Sequence, residues 1–132
     1  MATSSAIGIL HNDGTTETIY CHYDGYPQHH EPILKTYYNS IDKVKALIAL
    51  GDISVLAPRI APNDGEVHNF DNPIDDIVIA YHRDRGEDYN PPCIYKNKEE
   101  LFSMEYFEWL YLFDESANEW LILGEYEYEK NN

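Results

Sequence analysis

The chain has 132 residues, 43% of them hydrophobic and 14% aromatic, with 24 Asp and Glu against 9 Lys and Arg for a net charge of −15. That length suits one domain with a core of its own, and the composition is too apolar for a disordered acidic tail. The charge excludes direct binding of nucleic acid or of an anionic membrane, both of which need cations against phosphate.

Residues 6–23 read as a β-hairpin. "AIGILH" and "TTETIYCHY" are rich in β-branched and aromatic residues, and Asn12-Asp13-Gly14 between them suits a turn that needs positive φ. "DGYPQHHEP" then reads as loop, with Pro32 opening a short helix over 33–39. "SIDKVKALIALG", 40–51, is the clearest helix: Ser40 is its N-cap, Ile41, Val44, Leu47 and Ile48 form one stripe, and Gly51 closes it.

"APRIAPNDGEVHNFDNPID" has the Pro, Asn, Asp and Gly content of irregular chain, long enough to point to function. "DIVIAYH", 76–82, reads as a central strand. Asn97 caps a short helix through "KEELFSM", and two strands at about 106–113 and 119–128 flank "DESAN". In the first of these, Phe107, Trp109, Tyr111 and Phe113 share one face by alternation. The sum is a single α+β domain over 1–132, with 1–5 and 130–132 as frayed ends. Its sheet is expected to be mostly antiparallel, with N-terminal and C-terminal hairpins and two or three short helices.

Two stretches resemble each other. "IYCHYDGY" and "AYHRDRGED" each carry an aromatic residue, a His, an Asp two residues on and a Gly just after. On strands, His22 with Asp24 and His82 with Asp84 would each share a face and could together supply four ligands to a metal. The plainer reading, which we favour, is that both are strand ends running into turns at Asp24-Gly25 and Arg85-Gly86. His29-His30 in the intervening loop reads as solvated. Of the two cysteines, Cys21 alternates with Tyr20 and His22 as a core residue would, and Cys93 lies in no nucleophile signature. GxSxG, P-loop and GxGxxG patterns are absent, so no enzymatic activity and no cofactor are expected.

The charge is uneven. Up to Pro62 there are 6 acids and 4 bases, and from Asn63 onward 18 acids and 5 bases. Between Glu99 and Glu129 lie ten acids and neither Lys nor Arg. Glu125, Glu127 and Glu129 alternate on one strand face, ~6.5–7 Å apart at a rise of ~3.3 Å per residue. That spacing approximates every second phosphate of a DNA strand, at ~3.4 Å each. A solvated face is the plainer reading of such a row. Rigid acids cost stability through self-repulsion, however, and ten of them without a counter-charge are more than solubility requires, which favours a surface for a cationic partner. The candidate contacts are Glu99, Glu100, Glu105, Glu108, Glu119, Glu125, Glu127 and Glu129, with Asp75, Asp76, Glu87 and Asp88 adjoining.

"IYCHYDGYP", "LKTYYNSIDKVKALIALGDISVL", "IAYHRDRGED" and "YLFDESANEWLI" together resemble a family of small proteins encoded by bacteriophages and prophages, over roughly residues 7–125. The chain departs from that pattern after the Tyr-Pro, where Gln28-His29-His30-Glu31 replaces small residues and Gly. The resemblance brings no catalytic residues. It implies an accessory protein acting in the cytoplasm of an infected bacterial cell. "MATSSAIGIL" has no signal-peptide character and no apolar run is long enough to span a membrane, in keeping with that setting.

The expectation is therefore a protein that docks its acidic surface into a basic groove of a host protein. The host protein would handle nucleic acid or serve in defence, as a CRISPR–Cas effector does. A metal-binding protein or metal-dependent enzyme using the two HxD stretches is the alternative. A phage structural or assembly protein, meeting its partner through "APNDGEVHNFDNP", is a further one. No oligomeric state follows from the sequence.

Overall fold

The computed structural model describes residues 2–124. Strands β1 (Ser5–Leu10) and β2 (Thr16–Cys21) form the expected hairpin. Asp13 closes it by accepting from the Thr15 N–H and hydroxyl, and Gly14 supplies φ +91°. Helix α1 (Pro27–Tyr37) and helix α2 (Ile41–Ile48) follow, then strand β3 (Ile53–Val55). After the long irregular segment come strand β4 (Ile79–Ala80), helix α3 (Tyr81–Arg85), strand β5 (Cys93–Tyr95) and helix α4 (Lys98–Met104). Strands β6 (Trp109–Asp114) and β7 (Glu119–Gly124) make the second hairpin.

The architecture is α+β, as expected, but the sheet is mixed rather than mostly antiparallel. Its order is β4-β3-β2-β1-β6-β7, with β5 also on β2. β1 runs parallel to β6 and β2 parallel to β3, because helices carry the chain back over the sheet between them. Four helices stand among the described residues where two or three were expected.

Alternation along the strands builds two cores. Ile7, Ile9, Ile19, Cys21, Tyr111, Phe113 and Trp120 point to one face, covered by Leu34 and Tyr38 and by the α2 stripe Val44, Leu47 and Ile48. Ala6, Leu110 and Leu112 point to the other, covered by Leu101 of α4 and by Phe107. Phe107 therefore does not share a face with Tyr111 and Phe113. The strand begins only at Trp109, so the alternation does not extend back to it.

Both designated caps hold: Ser40 accepts from Lys43 N–H at 3.4 Å, and Asn97 Oδ1 from Glu100 N–H at 2.8 Å. Two elements differ from their sequence reading. α1 starts at Pro27, a proline at N1 with its φ preset, and runs through His29, His30 and Pro32 instead of beginning after them. The 76–82 run pairs with β3 at only two residues, on the sheet edge, and bridges Arg59 through Ile77, and its last two residues open α3. Its apolar residues still bury Ile77, Val78 and Ala80, which is the property the pattern reported. At the N-terminus, Ser4 and Ser5 are buried and Thr3 O accepts from Gly25 N–H, so this end is docked from Thr3 onward. Among the described residues no helix is long and apolar enough to cross a membrane.

Candidate functional site

The two HxD stretches lie on either side of β3: Cys21 pairs with Ile53, and Ile53 with Ala80. They are neighbours, yet their side chains do not converge. His22 Nδ1 is taken by the Tyr20 hydroxyl at 2.8 Å, and Asp24, at φ +57°, accepts from the Tyr26 hydroxyl at 3.4 Å. His82 Nδ1 bonds to Glu87 O at 2.7 Å. On a helix, residues two apart sit ~200° round the axis, so Asp84 turns away from His82.

Asp84 instead enters a buried network. Its carboxylate, 3% exposed, accepts from Ala80 N–H at 2.8 Å and from the Arg83 guanidinium at 2.9 Å. His68, whose side chain has no exposed surface, completes it. Its Nδ1 accepts from Ile74 N–H, so the ring proton sits on Nε2, facing Val78 O at 3.1 Å and Asp84 at 3.3 Å. Burial alone would raise the Asp84 carboxyl. Arg83, the Ala80 N–H and His68 together hold it below its usual range. This network pins the long loop to the sheet. Among the described residues no three His, Cys, Asp or Glu are grouped as a metal would require.

His30, expected from the sequence to be solvated, is buried. It has no exposed surface, bonds through Nε2 to Ser5 Oγ at 3.0 Å and through Nδ1 to His29 Nδ1 at 2.9 Å, and packs against the Tyr111 ring. Burial, with the neighbouring His29, lowers it to about 3. Helical phase from Pro27 was the available signal: His30 and Leu34 lie four apart on one face.

The carboxylates expected to meet a partner do not form one surface. Asp75 and Asp76 precede β4 while Glu119 opens β7, at opposite edges of the sheet. Several are engaged: Asp76 with Arg59 at 2.9 Å, Glu87 with Arg85 at 3.5 Å, and Glu100 with Lys96 at 3.9 Å. No cation of the described residues stands within ion-pair distance of Asp75, Asp88, Glu99, Glu108 or Glu119. Glu99 and Glu100 lie in the first turn of α4, and Glu105 is its C-cap. Glu125, Glu127 and Glu129 lie outside the described residues.

Beside α4 is a feature that sequence reasoning missed. The outer edge of β2 is divided: Thr16–Thr18 pair with β5 and Cys21 with β3. Between them Asp52 Oδ1 takes the Tyr20 N–H at 3.0 Å. The gap forms a cavity of about 70 Å³ lined by Tyr20, Asp52, Cys93, Glu105, Tyr106 and Phe107, among others. Burial raises the Asp52 carboxyl, offset in part by the Tyr20 N–H and reinforced by the charge of Glu105. Glu105 is held by the Tyr95 hydroxyl. Met104 and Tyr106, on either side of Glu105 in the chain, are 67% and 75% exposed. Two restrained carboxylates in a crevice lined in part by the exposed Tyr106, with Met104 close by in the chain, suit a cationic, partly apolar ligand. Comparison with family models, with curated proteins and with solved structures finds no match for the chain in any of the three.

Proposed function

We propose that the protein binds a basic partner through the acidic surface along α4. In the setting the phage resemblance implies, it would occupy a groove of a host protein that handles nucleic acid or serves in defence. The observation that carries this reading is the run from Glu99 to Glu129, ten acids without a Lys or Arg, of which Glu99, Glu100 and Glu105 stand together on and just after one helix. Restrained carboxylates repel one another at a cost in stability, and a cationic groove turns that repulsion into binding energy.

The test is capture of partners from bacterial lysate on immobilised protein, at low and at moderate salt, with added DNA or RNA as competitor. The expected result is retention of a nucleic-acid-binding protein that is released by salt and displaced by nucleic acid. Substituting Glu99→Lys, Glu100→Lys and Glu108→Lys together should abolish retention while the circular dichroism spectrum stays that of the parent. Undiminished retention by the triple variant would overturn the reading.

A further inference from the structure

The apolar, carboxylate-lined crevice between β5 and β3 has the dimensions and chemistry of a socket for one side chain. We infer that it receives an arginine of the partner, with Met104 and Tyr106 covering the apolar residues beside that arginine. This rests on the basic-partner reading above and gives it a location.

Size is the first argument. A cavity of about 70 Å³ is several times the ~10–15 Å³ that admits one water, so it has room for a group of a few heavy atoms such as a guanidinium head. The second argument is charge. Asp52 and Glu105 line the same cavity, and each is already oriented from within the fold, by the Tyr20 N–H and the Tyr95 hydroxyl respectively. Little side-chain entropy remains to be lost when a cation arrives. The raised Asp52 carboxyl fits this arrangement, since burial and a like charge leave the pair short of a counter-ion.

The third argument is the kind of cation. Tyr20, Tyr106 and Phe107 are among the lining residues, and of these Tyr106 has a largely exposed side chain. A planar, weakly hydrated guanidinium stacks on aromatic rings while bonding to carboxylates, whereas an ammonium keeps its water. Tyr106, 75% exposed, has the exposed amphipathic ring that interfaces use as an anchor.

The test is an NMR titration of ¹⁵N-labelled protein with the blocked pentapeptide Leu-Ala-Arg-Ala-Leu and its citrulline counterpart, which keeps the shape and removes the charge. The arginine peptide should produce saturable shifts at the amides of Tyr20, Asp52, Cys93 and Tyr106, with at least tenfold higher affinity than the citrulline peptide. Glu105→Gln still accepts from Tyr95, and Tyr106→Ala changes an exposed ring. Each should weaken binding about tenfold, the equivalent of about 1.4 kcal/mol, with the remaining spectrum intact. Equal affinity for citrulline, shifts centred instead on Asp75 or Glu119, or no saturable shift at millimolar peptide would each overturn the socket. The lysate experiment separates the two levels. A partner held as firmly by the Glu105→Gln, Tyr106→Ala double variant as by the parent sinks the socket but keeps the acidic docking. Failure of the parent to retain any partner sinks the docking, and the peptide titration then judges the socket alone.

Discussion

Ser5 Oγ and His30 Nε2 stand 3.0 Å apart with no exposed surface on either residue, tying the first strand to the first helix across 25 positions. His30 is further bounded by His29 and Glu31 on its own helix and by Tyr111 of β6. Its imidazole is held neutral, down at about 3 against an ordinary 6.5, chiefly by burial.

Acid stability follows from that burial. Between pH 6.5 and about 3 the unfolded chain binds a proton at this site that the folded chain does not. Stability should therefore fall as pH drops below about 6.5, by at most about 1.4 kcal/mol per pH unit from this group. Urea melts at pH 7, 6 and 5, where most carboxylates stay ionised, should show the fall. His30→Gln should flatten it while lowering stability at pH 7. An unchanged slope in the variant would assign the effect elsewhere.

The two HxD stretches should respond unequally to truncation. Asp84→Ala leaves the Ala80 N–H, Arg83 and His68 without their shared acceptor, at a cost of about 3 kcal/mol. His22→Ala removes a half-buried ring bonded to Tyr20, at a cost of about 1 kcal/mol or less. Thermal melts of the two variants check this. Equal losses, or a melting shift on adding zinc that either variant abolishes, would restore the shared-site reading.

Gly51 sits at φ +76°, and a Cβ there would lie 2.4 Å from Asn90 O. Gly51→Ala combines left-handed strain with displacement of the chain beside Asp52, for a loss of about 2 kcal/mol. Because the next residue lines the crevice, the same substitution should weaken arginine-peptide binding. Chemical denaturation and the NMR titration read the two effects separately.

The cysteines should differ in reactivity. Cys21 is buried and pushed up to about 12 by that burial, so it stays unlabelled in the folded protein. Cys93 is exposed, though partial burial and Glu105 raise its thiol and slow its reaction. Mass spectrometry after native maleimide treatment should show one adduct, at Cys93, and a second only after denaturation. Since Cys93 lines the crevice, the native adduct should block the arginine peptide. A labelled protein that still binds would separate the cavity from the binding surface.

What the sequence determined by itself was local. The Asn12-Asp13-Gly14 turn, the Ser40 and Asn97 caps, the α2 stripe and the alternation of β1, β2, β6 and β7 each depend on neighbours within a few positions. There, backbone geometry and side-chain period leave one answer. Tertiary structure decided what depended on distant partners. Pairing of β1 with β6 across a hundred residues made the sheet mixed, and Phe107 fell to the second core because α4 ends just before it. The fates of His30 and Asp84 were set by Ser5 and His68, which no local window contains. The crevice exists because β3 and β5 divide one edge of β2 and leave Tyr20 to bond with Asp52. Charge was legible as a total, but its usable concentration was not, because ion pairing and sheet order disperse the acids in three dimensions.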